Sequence, residues 1–232
     1  MESPGNPRRI GWGRYRLDCA VLLFLLLVST PVFGRPAMTR FSFDFFFGFP
    51  INLNSNLKIT QEGQEDLEFT AHWKSEPFKQ PLYWDIRLAY WTSESRGWAL
   101  DLMHNKLILE NPPNEVQGYS QTHGYNMVTV QRLWVLSGNL VSAAAGVVFA
   151  HPESTVRGQV FPETGGDIGG GYYLTGPMVG GGFGRRFGLT DLFFVSLEGR
   201  VTLSYTTTPV QGGESSLTLL GFHGLFGVGV GF

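Results

Sequence analysis

The chain closes on LTLLGFHGLFGVGVGF, with Phe232 as its last residue. Stepping back by two from Phe232 meets Val230, Val228, Phe226, Gly224 and Phe222; the other parity holds Gly231, Gly229, Gly227, Leu225 and His223. Alternation with period two is the mark of a β-strand whose two faces meet different surroundings. Here one face is bulky and apolar while the other is small or polar. A strand that shows lipid an apolar side and a filled lumen its other side has this pattern.

Seven further stretches have strand-like composition: 41–50, 82–91, 97–109, 124–136, 139–150, 170–187 and 191–205, the last strand being 217–232. The connections alternate between long (51–81, 110–123, 151–169, 206–216) and short (TSESR, SG, GLT). Such alternation predicts an all-β, closed eight-stranded antiparallel transmembrane barrel. Closure removes the sheet edges that lipid does not tolerate. It also predicts a bacterial outer-membrane location, short turns and both termini in the periplasm, and long loops outside. Eight strands leave an interior filled by side chains, which argues against a general porin. The terminal strand ending at Phe232 is the expected handle for the barrel assembly machinery.

Ahead of the barrel, Arg8, Arg9, Arg14 and Arg16 precede the apolar run Cys19 to Phe33. This is the layout of a cleaved signal peptide at 1–34, with Ala37 a second cleavage option, leaving 35–232 as one barrel domain. The apolar run falls short of the ~20 residues a helical span needs. Cys19 is the single cysteine, so the mature chain carries no thiol. Net charge is −2, which gives no electrostatic case for nucleic acid.

Faces can be assigned by parity. Leu82, Trp84, Ile86, Leu88 and Tyr90 share one face, while Tyr83, Asp85 and Arg87 share the other. Charges at mid-depth on the lipid side cost about 2–4 kcal/mol each, so Asp85, Arg87, Asp101, Glu198 and Arg200, with Gln131 and His223, are expected inside. They form either an ion-pair network satisfying buried polar groups or a functional cluster near the outer rim. Pro177 predicts a bulge in its strand. His104 and Lys106 carry the parity of Trp98, Leu100 and Leu102, so they sit above the membrane core or beyond a register shift. Trp91, Trp98, Trp134, Phe187 and Phe232 are expected to ring the periplasmic edge, and Phe49, Tyr125, Phe149, Tyr172 and Tyr205 the outer one. Loop 51–81 either adds strand length or caps the lumen. His72, His104, His123 and His151 fall in external loops or strand tops. With Asp101, Asn105 and Glu110 they are candidate metal ligands or acid–base groups, though no zinc-type spacing is present and solvated loop histidines are the better fit to the spacing alone.

Several stretches resemble a group of small outer-membrane proteins from alphaproteobacteria that includes lipid A oxidase. They are 69–91 (FTAHWKSEPFKQPLYWDIRLAYW), 97–116 (GWALDLMHNKLILENPPNEV), 122–130 (THGYNMVTV), 174–187 (LTGPMVGGGFGRRF) and the terminal strand with His223. The clearest motifs are W-x-x-x-P-F-x-x-P-x-Y-W from Trp73, and D-x-x-H-x-K from Asp101 followed by H-G-Y-N from His123. The resemblance implies an eight-stranded barrel acting on lipid A, a lipopolysaccharide component, at the outer leaflet, with oxygen and a divalent metal ion. It implies Asp101, Lys106 and Asn126 as catalytic residues and His104 and His123 as metal ligands, with Asp101 orienting a ligand and Lys106 pairing with a phosphate. Its partners would be outer-membrane lipid and lipopolysaccharide. A non-enzymatic structural or surface-interaction barrel is the alternative.

Overall fold

The computed structural model describes residues 39–232; the signal segment 1–34 lies outside them. Among the described residues there are thirteen strands: β1 (Phe41–Asn52), β2 (Ser55–Gln61), β3 (Leu67–Ala71), β4 (Trp73–Lys74), β5 (Trp84–Ser93), β6 (Arg96–Leu109), β7 (Val116–Leu136), β8 (Asn139–Ala150), β9 (Glu153–Val156), β10 (Gln159–Val160), β11 (Tyr173–Gly188), β12 (Phe193–Val210) and β13 (Gly213–Gly231). Eight of them pair in a ring, β1–β5–β6–β7–β8–β11–β12–β13, and β13 returns antiparallel to β1 from Ser42↔Gly231 to Asn52↔Gly221. Backbone bonds between Phe41 and Phe232 complete the seam. Each of the eight expected stretches becomes a wall strand; 139–150 matches, most other ends move by one to four residues, and β7 starts eight residues before the expected 124 while β12 runs five beyond the expected 205. β5–β6, β7–β8 and β11–β12 turn over within a few residues at the end of the barrel where Phe41 and Phe232 meet. Ser137 and Gly138 have φ of 50° and 83°, the positive pair that a two-residue hairpin matching the strand twist requires.

The wall faces follow parity. Phe43, Phe47, Leu88, Trp98, Leu100, Val130, Phe226 and Val228 are exposed on the outside, while Asp44, Asp85, Arg87, Asp101, Glu198, Arg200 and His223 are buried inside. Leu100 lies between Leu88 and Val130 on an apolar outer row. Leu100→Arg should therefore lower the stability of the folded barrel by about 2–4 kcal/mol, read from denaturant unfolding in lipid vesicles. An unchanged midpoint would mean that this face does not meet lipid.

Two aromatics leave the expected girdles. Trp91 and Tyr125 have inward parity and are buried, Trp91 Nε1 donating to Ser42 Oγ (3.2 Å) and the Tyr125 hydroxyl bonding Ser204 Oγ (2.6 Å). Proximity to a strand end suggested a girdle, but facing decides, and facing follows parity. The bulge expected at Pro177 is a register shift between Leu174 and Gly176, just before it.

The lumen is filled in three layers. At the short-turn end Ala89, Trp91, Ala99, Leu133 and Leu140 form an apolar floor. Arg186 lies over the Trp91 ring at 5.2 Å and bonds Asp44 at 2.8 Å. Above the floor is the ion network. Arg87 grips Glu198 through two bonds (2.7 and 2.8 Å) and reaches Asp101 at 3.3 Å. Arg200 meets Asp85 at 2.5 Å, Asp101 at 3.1 Å and Glu198 at 3.3 Å. Phe46 is the shared cover, 5.2 Å from each guanidinium. A cavity of about 20 Å³ beside Asp101, Gln131 and Arg200 has room for roughly one water.

Above the network the barrel continues as an apolar crown, to which loop 51–81 contributes three strands. β2 extends β13 (Leu57↔Leu217 to Gln61↔Gly213), β3 folds back on β2, and β4 adds to β6. Alternation in β2 sends Leu57 and Ile59 inward, where they are buried with Ala71, Trp73, Leu107, Tyr119, Val156 and Leu217. The loop thus adds strand length and also fills the upper lumen. β9 and β10 lengthen the sheet beside β7 in the same way.

Candidate functional site

Where β6 and β7 leave the apolar belt, their register breaks. Asn105 pairs with Tyr125, but the next paired residue, Leu107, faces Gln121. β7 therefore carries extra residues around His123 and Gly124, a bulge of the kind that re-aims side chains at a barrel rim. Below the break runs a continuous outward row, Trp84–His104–Asn126–Phe149–Leu174, each residue the register partner of the next. His104 and Asn126 thus occupy positions that face lipid elsewhere on these strands.

His104 Nδ1 and Asn126 Oδ1 are 2.8 Å apart. The Trp84 ring stacks on the imidazole at 5.5 Å, nearly parallel at 9°. His104 is only 4% exposed, and its Nε2 is buried with no partner. Lys106 is as well covered: its amine donates to the Lys79 carbonyl at 3.0 Å and so ties down the 75–83 segment. Lys74, at the end of β4, and Lys79 flank Glu76 and hold its carboxyl down at about 2.

On the long-loop side of the row stands a second group. His123 Nδ1 lies 2.6 Å from Glu153 Oε1, and His151 Nδ1 lies 3.9 Å from the same oxygen. Thr122 Oγ1 donates to Glu153 Oε1 at 2.6 Å and Ser120 Oγ to Oε2 at 3.1 Å. Burial pushes the Glu153 carboxyl up, but the bonds from Thr122, His123 and Ser120 outweigh it and hold its pKa below the ordinary range. The His123 side chain is 57% exposed, whereas His151 is buried between the His123 ring at 5.1 Å and Tyr172 at 5.2 Å.

The structure therefore brings together His104, Asn126 and Lys106 at one stretch of outer wall, with His123 at the adjoining bulge. It does not bring Asp101 to them. Asp101 has the opposite parity on β6 and sits in the lumen between Arg87 and Arg200, where it cannot orient a ligand of His104. Lys106 has its amine engaged by the loop. His72 is exposed, and its amide donates to Asn111 Oδ1. Sequence reasoning did not single out Glu153. Its signal was the spacing His151-x-Glu153, which puts both on one side of an extended chain.

No protein-family model matches the chain, and no curated protein matches it. Solved structures do. The outer membrane protein AlkL, determined by solid-state NMR in lipid bilayers, superposes with a TM-score of 0.51 at 12% identity, over 88% of this chain and 94% of AlkL. The chain shares the eight-stranded antiparallel barrel fold of that outer-membrane protein. The Neisserial surface protein A gives 0.43 at 11% identity (84% of this chain, 98% of that one), and OprG from Pseudomonas aeruginosa gives 0.44 at 10% (87% and 100%). At 12% identity the AlkL likeness speaks to the wall and its strand order and leaves chemistry to the residues themselves.

Proposed function

We propose that this barrel sits in a bacterial outer membrane, with its short turns and both termini periplasmic, and modifies lipid A at the outer leaflet by oxidising the proximal sugar. The observation that carries the reading is the bond between His104 and Asn126. These residues come from the two motifs D-x-x-H-x-K and H-G-Y-N, are 22 residues apart in sequence, and meet on the outside of the wall. A lipid cannot leave its leaflet, so groups that act on its sugar must be offered laterally, at headgroup depth. The filled lumen offers no such path. His123, the exposed member, would hold the metal on the side that faces the sugar, while His104 and Asn126 would act as positioning residues beside it. The divalent metal that the family resemblance implies would, when bound, supply electron transfer to oxygen.

One observation favours a non-enzymatic barrel instead: His104 and Lys106 are covered, as packing residues would be. Mass spectrometry of lipid A separates the two. Outer membranes with and without the protein, grown in air and without oxygen, should show a mass shift that needs both protein and oxygen. An unchanged spectrum from membranes holding the folded barrel would sink the enzymatic reading.

A further inference from the structure

We propose that His123, His151 and Glu153 form a binding site for a divalent first-row transition-metal ion on the outer edge of the wall. Its part in catalysis rests on the lipid A reading; its geometry does not. The donor atoms of the three side chains lie within 4.8 Å of one another. Metal–nitrogen and metal–oxygen bonds of about 2.0–2.2 Å require donor separations of roughly 3 Å, and the 2.6 and 3.9 Å distances to Glu153 Oε1 bracket that value. Small side-chain rotations would seat an ion in place of the His123–Glu153 bond.

A second observation points to a ligand. His151 is 7% exposed, and its Nδ1 is buried without a hydrogen-bond partner while facing the Glu153 carboxylate. Buried ring nitrogens are rarely left so. A Cβ at Gly171, where φ is +79°, would lie 2.5 Å from His151 Nε2, so the bare glycine fits against the ring's far side. Tyr172 packs edge-on to His151 and donates its hydroxyl to the His123 carbonyl at 2.8 Å. Ser120 and Thr122 hold the carboxylate, as outer partners hold the ligands of metal sites. Two imidazoles and one carboxylate, with His123 toward solvent, suit an ion that keeps open positions for other ligands.

The test is a Co²⁺ titration of the full protein, purified folded from membranes in detergent, followed by visible absorption and calorimetry. One ion per chain is expected, with affinity falling about 100-fold or more in His151→Ala and Glu153→Gln and holding in His72→Ala. His123→Ala, at an exposed position, gives the same loss should His151→Ala fail to fold. A wild type that does not bind Co²⁺, or ligand variants that bind as wild type does, would overturn the site. Binding that behaves as expected beside an unchanged lipid A spectrum leaves the site standing and removes the catalytic reading. Oxidised lipid A from a protein that binds no ion at these residues does the reverse.

Discussion

Arg200→Met is expected to destabilise the barrel by about 3–5 kcal/mol, the usual consequence of leaving buried charges without their partner. Arg200 bonds Asp85, Asp101 and Glu198, and it is 5% exposed. Arg87 can still serve Glu198 and Asp101, but Asp85 has no other hydrogen-bonding cation among those described. The acids are already in excess, with Asp44, Asp85, Asp101 and Glu198 facing Arg87, Arg186 and Arg200. Removing one acid should therefore cost much less than removing one base, and Asp85→Asn is expected to be far milder than Arg200→Met. Urea unfolding in lipid vesicles reads both. Equal losses in the two variants would contradict the charge accounting.

Trp73→Ala tests the crown, and its effect should be local. Trp73 is buried, its Nε1 donates to Ser55 Oγ at 2.8 Å, and its ring lies 6.1 Å from Tyr119. Truncating a buried Trp costs about 3–5 kcal/mol. The crown is joined to the wall by short strand pairings, so it is expected to open as a unit before the wall does. Trypsin should then cut at Lys58, Lys74 or Lys79 in the variant and spare the wild type, while both keep the gel mobility of a folded barrel. Loss of that mobility would show that crown and wall unfold together.

The wall was legible because lipid outside and polar groups inside impose period two on every strand, and because loop lengths alternate. The crown was less so. Outside the membrane no lipid face is required, and loop 51–81 is broken by the polar run Gln61–Asp66. The alternation Leu57–Ile59 was nonetheless a strand signal within it. The network of Asp85, Arg87, Asp101, Glu198 and Arg200 could be read from parity. For the rim it was otherwise: parity sent Asp101 inward and His104 outward, whereas the motif set them together. The pairing of His104 with Asn126, and of His123 with Glu153 30 residues away, depends on the β6–β7 register and on the bulge at Gly124. No local pattern fixes either one.

The proposed lipid A chemistry belongs to the outer wall and not to the lumen. The most direct measurement is the lipid A mass spectrum, in air, from membranes carrying folded His123→Ala or folded Asp85→Asn. His123→Ala is expected to abolish the oxygen-dependent shift and Asp85→Asn to retain it. A shift that survives in His123→Ala and disappears in Asp85→Asn would move the site into the lumen and rule out the outer-wall site.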